Sequence, residues 1–136
     1  MRYFAGCIII LLLFSAGCRQ EVDGDGVKSP ADSAGARLET LNKQILEDED
    51  NPDLYHLRAK LFYATRDFDK AFRDIRKAIS LSSSRPAYYI TLSDIYLLSG
   101  QPENCKESLT KAIDLDPENA DALLKLAKLY LIMKDY

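Results

Sequence analysis

Residues 52–85 read PDLYHLRAKLFYATRDFDKAFRDIRKAISLSSSR, and residues 86–119 read PAYYITLSDIYLLSGQPENCKESLTKAIDLDPEN. The two stretches have equal length, and aromatic, aliphatic and small residues take the same places in both. The matched pairs include Tyr55 and Tyr89, Ala59 and Ser93, Phe62 and Tyr96, Ala71 and Cys105, Ile75 and Leu109, and Ala78 and Ala112. Residues 120–136 begin a third copy with Leu123, Ala127 and Tyr130. A fixed period of about 34 residues predicts stacked helical hairpins, which bury a continuous core only as a stack.

Turn and capping residues set the expected helix boundaries. Turns are predicted at residues 65–67 and 99–101, and Pro86 and Pro102 suit the first position of a helix. The predicted helices cover residues 53–64, 68–81, 86–98 and 102–115, and the third unit adds one helix from about 119 to 133. The sequence therefore predicts an all-α fold.

Two motifs in these units resemble those of the tetratricopeptide repeat family. They are residues 67–71, DFDKA, and residues 112–117, AIDLDP, although Ser83 stands in the first unit where the second has Pro117. The resemblance covers residues 52–136. It implies a helical-hairpin solenoid of two full repeats, 52–85 and 86–119, and an incomplete one, 120–136. It also implies a scaffold for protein–protein interaction.

The N-terminal residues have a different composition. Arg2 precedes a nearly unbroken apolar run at residues 3–14, and the small residues 15–17, Ser-Ala-Gly, lead to Cys18. The run is shorter than the roughly 20 apolar residues that span a bilayer, so residues 1–17 are predicted to be an export signal. Small residues before a cysteine resemble the lipobox of bacterial lipoproteins, although that family has an apolar residue three places before the cysteine. The resemblance implies lipidation of Cys18; the alternative is an ordinary cleaved signal.

Several acyl chains on one cysteine hold a protein firmly on a membrane, whereas a single chain holds it only marginally. In enteric bacteria, the lipoproteins that stay in the inner membrane resemble one another in having aspartate directly after the cysteine. This chain has Arg19 at that position. We therefore expect a lipid-anchored protein of the bacterial cell envelope, at the outer membrane. The sequence does not distinguish the periplasmic side of that membrane from the cell surface.

Between the anchor and the repeats, two segments are predicted. Residues 18–35 are rich in Gly, Asp and Ser and are expected to form a disordered tether. Residues 36–48 are expected to form a capping helix, because Leu38, Leu41 and Ile45 lie on one helical face.

Little in the sequence indicates chemistry. Cys7 leaves with the signal, Cys18 is the lipidation site and Cys105 falls on a repeat-core position, so no metal or disulfide pair is predicted. His56 has no partner set typical of a catalytic site, and the acidic residues 48–53 lack the glycine of a calcium loop. The net charge of −3 argues against a nucleic-acid surface. We expect no enzyme activity and no cofactor.

The family resemblance implies a partner-binding groove lined by one face of each first helix. Carried over, the lining residues are His56, Lys60, Tyr63, Ile90, Asp94, Leu97, Leu124, Lys128 and Leu131. The apolar centre of this set favours an amphipathic helix or an extended segment of a partner protein. The lysine and asparagine pattern with which some family members grip acidic chain termini is absent.

The expected function is a membrane-anchored scaffold that binds an envelope protein or a peptide segment of one. The alternative is a fragment of a longer lipoprotein, for nutrient capture or for secretion and assembly, whose ligand site lies beyond Tyr136. Because the third unit is incomplete, we expect its apolar flank to be covered by further chain, by a partner or by a second copy.

Overall fold

The computed structural model describes residues 30–134, with side chains from residue 33 onward. Within that range every regular element is an α-helix and no strand is present. The helices are α1 Pro30–Glu47, α2 Pro52–Ala64, α3 Phe68–Leu81, α4 Pro86–Leu98, α5 Pro102–Leu115 and α6 Ala120–Lys134. The predicted all-helical solenoid is confirmed. The predicted signal, Cys18 and the tether up to residue 29 lie outside the described residues.

Short polar segments start the helices. The side chain of Asn51 accepts a hydrogen bond of 3.1 Å from the amide of Asp53, and Pro52 occupies the first helical position of α2. Asp67 caps α3 in the same way by accepting from the amide of Lys70. Prolines also open α4 and α5, which lack a side-chain cap.

α2 packs along α3, and α4 packs along α5, as two helical hairpins. Both turns contain one residue in the left-handed backbone region, Arg66 with φ of 63° in the first and Gly100 with φ of 69° in the second. In both turns the next amide donates a hydrogen bond of 2.9 Å to a carbonyl in the last turn of the first helix. Since glycine adopts this conformation without strain and arginine does not, the packing of the helix pair imposes the turn on Arg66.

Small residues let the paired helices approach closely. Ala59 of α2 and Ala71 and Ala78 of α3 are completely buried. The same places in the second unit hold Ser93, Cys105 and Ala112, which are also buried. The repeat pattern predicted these positions, and larger residues there would separate the helices.

The first helix begins earlier than the sequence suggested. α1 starts at Pro30, so residues 30–35, which were expected to belong to the tether, continue the helix that was expected at 36–48. Proline at the first position and alanines after it favour helix formation. Among the α1 side chains that the structure describes, Ile45 is buried and joins the core cluster of the first hairpin.

Arg58 of α2 connects three helices, through an ion pair with α3 and a hydrogen bond to α1. Arg58 Nε lies 2.6 Å from Asp74 Oδ2 and its Nη2 donates to Asp74 Oδ1 at 2.8 Å, so the contact is bidentate. The remaining Nη1 donates to Asn42 Oδ1 of α1 at 2.8 Å. Asp74 is buried. The guanidinium therefore holds the capping helix to the first hairpin.

Candidate functional site

The first helices of the three units, α2, α4 and α6, contact one another in order. His56 Nε2 on α2 lies 2.8 Å from Thr91 Oγ1 on α4. Lys125 Nζ on α6 donates to Asp94 Oδ1 on α4 at 2.7 Å. We call the surface formed by these three helices, away from α3 and α5, the groove face.

The nine residues expected to line the groove all belong to these first helices, and none is fully buried. Five are exposed: Lys60, Leu97, Leu124, Lys128 and Leu131. Four are partly buried: His56, Tyr63, Ile90 and Asp94. Ile90 also packs against the core of the second hairpin. The role of the nine residues in partner binding stays a prediction.

Exposed leucines dominate the groove face on α4 and α6. Leu97, Leu124 and Leu131 keep 39%, 54% and 67% of their surface accessible. Sequence reasoning missed two further apolar residues, Leu98 and Ile132, which are 55% and 47% exposed. They follow Leu97 and Leu131 directly and are one period apart. The repeat period alone could therefore have identified them as equivalent residues of the groove face.

His56 contributes to the contact between the first and second units. Its ring lies 4.8 Å from the ring of Tyr88, and its Nε2 contacts Thr91. Burial lowers the pKa of His56 below its ordinary value of 6.5, and the nearby positive charge of Lys60 lowers this pKa further. Asp53, the carboxylate nearest in sequence, accepts from Tyr88 and pairs with Arg85 instead. His56 is therefore a neutral packing group here rather than part of a catalytic pair.

This lowered pKa predicts a specific loss of stability in acid. When the pH falls below the ordinary pKa of 6.5, the unfolded chain binds a proton at His56 before the folded chain does, so the folded state loses stability. Between about pH 7 and about pH 5, the Tm of the native protein should fall further than that of His56→Gln, measured by circular dichroism. His56→Gln leaves every carboxylate in place, so parallel pH profiles of the two proteins would contradict the prediction.

Charges in the centre of the groove face are paired. Asp94 and Lys125 form an ion pair between α4 and α6, and burial together with the charge of Asp94 raises the pKa of Tyr63 nearby. Lys60 and Lys128 are exposed, and no acidic group within residues 33–134 forms an ion pair with either. The face therefore presents leucines between two free cations.

The outer side of α6 differs from that of the other first helices. Leu123 is 44% exposed and Ala127 is exposed, whereas Tyr55 and Ala59 at the same positions of α2 are buried. Tyr130 is 49% exposed, whereas Phe62 at its position in α2 is partly buried. Lys106 of α5 lies 5.7 Å from the ring centre of Tyr130. The expectation that further chain, a partner or a second copy covers this side stays a prediction.

The part of the chain that the structure describes contains no group of three or more His, Cys, Asp or Glu residues arranged to hold a metal ion. None of its helices combines the length and the apolar composition that crossing a membrane requires. Cys105 is buried, and burial raises the pKa of its thiol, so it is a protonated core residue.

Comparison with known proteins agrees with this geometry. A family model described as tetratricopeptide repeat matches residues 52–85 and 86–119, and a second model with that description matches residues 108–136. The chain belongs to the tetratricopeptide repeat (TPR) family. Its helix pairs form the type of repeat scaffold that presents an extended surface to other proteins.

Curated proteins share this similarity, among them the following two. BBSome complex member BBS4 of Bos taurus is 29% identical over 101 residues, which are 74% of this chain and 19% of that protein. The TPR repeat-containing protein MJ1428 of Methanocaldococcus jannaschii is 33% identical over 93 residues, 68% of this chain and 16% of that protein. The chain thus spans less than a fifth of the length of these relatives.

Solved structures show the same fold. The first TPR domain of Spaghetti (RPAP3), bound to the HSP90 peptide SRMEEVD, matches with a TM-score of 0.71 and 22% identity over 75% of this chain and 81% of that one. MamA matches with a TM-score of 0.68 and 20% identity over 76% of this chain and 60% of that one.

Proposed function

We propose that this protein is a lipid-anchored TPR scaffold of the bacterial envelope whose groove face binds a segment of a partner protein. The observation that carries the proposal is the exposure of Leu97, Leu124 and Leu131 on neighbouring first helices. Contiguous exposed apolar residues on a folded protein are typical of a docking surface. A peptide bound to the solved TPR domain of RPAP3 is consistent with this use of the fold.

The apolar surface favours an amphipathic partner. The exposed leucines and Ile132 contact apolar side chains of the partner. The free cations Lys60 and Lys128 attract carboxylates on the edges of the bound segment. This arrangement assigns no reaction to the described residues. The protein holds its partner near the membrane and does not transform it.

The proposed anchor rests on residues 1–18 alone. Cys18 follows a run of small residues after an apolar segment, and 11 residues separate it from the start of α1 at Pro30. A flexible coil of that length spans roughly 20 Å, so the tether predicted from the sequence would let the helices act at a distance from the headgroups. Attachment at the outer membrane leaves the groove face accessible to other envelope proteins.

Metabolic labelling with a fatty acid tests the anchor. The native chain should take up label and partition into detergent and the outer-membrane fraction, whereas Cys18→Ser should take up none and partition into the aqueous phase. A similar distribution for the two proteins would show that Cys18 is not the attachment point. Gradient separation of inner and outer membranes tests the location separately.

Leu97→Glu tests the groove face. A carboxylate in the middle of the apolar surface should reduce contact with the partner about tenfold or more, because a desolvated charge opposes burial. A photo-reactive residue introduced at Leu131 would report the contact in intact cells as a cross-linked product of defined mass. The circular dichroism spectrum should not change, because Leu97 is already exposed.

The matched control is Leu46→Glu on α1. Leu46 is 77% exposed and does not belong to the groove face, so the same chemical change there should leave the cross-link intact. Equal cross-linking in the native protein and in Leu97→Glu would place the partner elsewhere.

A further inference from the structure

A cleft of about 530 Å³ opens between α1 and α2. Its lining includes Leu41, Leu57, Leu61 and Ala64, together with the exposed cations Arg37 and Lys60. The volume lies within the range of about 300–1,000 Å³ that is usual for binding pockets in proteins. Leu57 is 49% exposed although it is apolar, because nothing in residues 33–134 covers it from this side.

The repeat period shows what shape this cleft has. α2 packs against buried residues of α3 in its own hairpin and of α4 in the next one. These residues are Ala71, Ile75, Ala78, Tyr88, Thr91 and Ile95. One period earlier, the corresponding residues are Arg37, Leu41, Gln44, Leu54, Leu57 and Leu61. All of these except Leu54 line the cleft. The cleft therefore lies against α1 and α2 in the same way that α2 lies against α3 and α4. Because α2 is a helix, the cleft has the shape to hold a helix.

The residues that differ between the two positions indicate the chemistry of that helix. α3 has the small residues Ala71 and Ala78, whereas α1 has Arg37 and Gln44 at the corresponding places. Arg37 and Lys60 form no ion pair with any acidic group among residues 33–134. A helix in the cleft thus meets leucines along its middle and two unpaired cations, which favour carboxylates.

The chain's own residues at the matching register do not favour this helix. One period before α2 the sequence is residues 18–30, CRQEVDGDGVKSP, which includes Gly24 and Gly26 and only two isolated valines. Glycine in a helix interior is destabilising relative to alanine, and two valines provide little apolar surface. The helix is therefore expected to come from another protein.

We propose that the cleft between α1 and α2 binds an amphipathic helix of a partner protein that presents apolar side chains to Leu41, Leu57 and Leu61 and carboxylates to Arg37 and Lys60. The bound helix completes a repeat in which α1 is the second helix. This proposal deepens the interaction function proposed above by adding a second surface and its ligand chemistry. It does not require the groove face to be occupied.

Selection from a displayed library of helical peptides tests the proposal, with the full chain in detergent micelles as the target. Enriched peptides should carry apolar residues spaced at i, i+4 and i+7 and an excess of Asp and Glu. The affinity of peptides bound in the cleft should fall at least tenfold for Leu57→Glu and should be unchanged for Leu97→Glu, whereas peptides bound on the groove face should show the reverse. The double variant Arg37→Glu and Lys60→Glu should instead select peptides rich in Lys and Arg. All of these substitutions are at exposed positions, and circular dichroism checks the fold of each variant.

Three results would overturn the proposal. The first is an absence of enriched peptides that depend on Leu57, and the second is enrichment without a preference for acidic residues. The third concerns the segment before α1. If replacing Glu21, Asp23 and Asp25 with serine strengthens peptide binding tenfold or more, that segment of the chain itself occupies the cleft. Lys60 borders both surfaces, so dependence on Leu57 but not on Leu97 is the result that separates this site from the groove face. Failure of one proposal therefore leaves the other standing.

Discussion

Replacing Tyr88 with alanine is expected to lower the free energy of unfolding by about 3–5 kcal/mol. Tyr88 is completely buried between α2 and α4, in the core cluster of the first hairpin, and its ring contacts that of His56 at 4.8 Å. Truncation removes this packing and leaves a cavity at the contact between units. Urea unfolding followed by circular dichroism measures the change.

The hydroxyl group of Tyr88 has a separate and smaller role. It donates to Asp53 Oδ1 at 2.6 Å, and burial, together with that hydrogen bond, raises the pKa of Tyr88 to about 12. Tyr88→Phe keeps the ring, and the partly exposed Asp53 retains its contact with Arg85, so the expected cost is only about 1 kcal/mol.

The two variants together distinguish packing from hydrogen bonding. Equal losses in Tyr88→Ala and Tyr88→Phe would mean that the hydroxyl group, rather than the ring, stabilises the contact. Because neighbouring units of a solenoid stabilise each other through their interface, Tyr88→Ala should also broaden the unfolding transition as the units unfold less cooperatively.

Tyr88 also shows where sequence reasoning reaches its limit. The period placed Tyr55 and Tyr89 at equivalent core positions, and it correctly located the small residues that bring paired helices together. The structure buries Tyr88 completely and Tyr89 only in part. The period matches equivalent positions of the units, but it does not by itself show which of two neighbouring tyrosines is buried. Tyr88 faces the preceding hairpin, where the first unit has Leu54, and this contact between units depends on the shape of both neighbours.

The positions of the nine groove residues on first helices were predictable from the period, their role in binding stays a prediction, and the cleft between α1 and α2 was not predicted. The face consists of repeating positions on first helices, so residues could be carried over from the family one by one. The cleft exists because α1 resembles a second helix and no described helix occupies the first-helix position beside it. The degenerate period in α1 predicted a cap, but only the arrangement of α1 and α2 shows the space beside Leu57.

Replacing Asp74 with alanine is expected to lower the free energy of unfolding by about 2–4 kcal/mol. Asp74 is buried, and its carboxylate forms the bidentate ion pair with Arg58, whose side chain is only 20% exposed. Without Asp74, the guanidinium remains largely out of water and has only the amide oxygen of Asn42 as an acceptor. Thermal and urea unfolding measure the loss.

The second unit supplies the matched control for this ion pair. At the positions of Arg58 and Asp74, it has Leu92 and Ser108, so the same architecture is built there without a buried charge pair. The double variant Arg58→Leu and Asp74→Ser should therefore unfold within about 1 kcal/mol of the native protein, because an apolar replacement of a buried pair is often neutral. The single variants Arg58→Leu and Asp74→Ser should each be less stable than the double variant. The loss of stability in the double variant minus the summed losses of the two single variants gives the coupling energy. Should Asp74→Ala prove as stable as the native chain, the ion pair would not stabilise the contact between α2 and α3, and the apolar core around Ala71 and Ile75 would have to account for it.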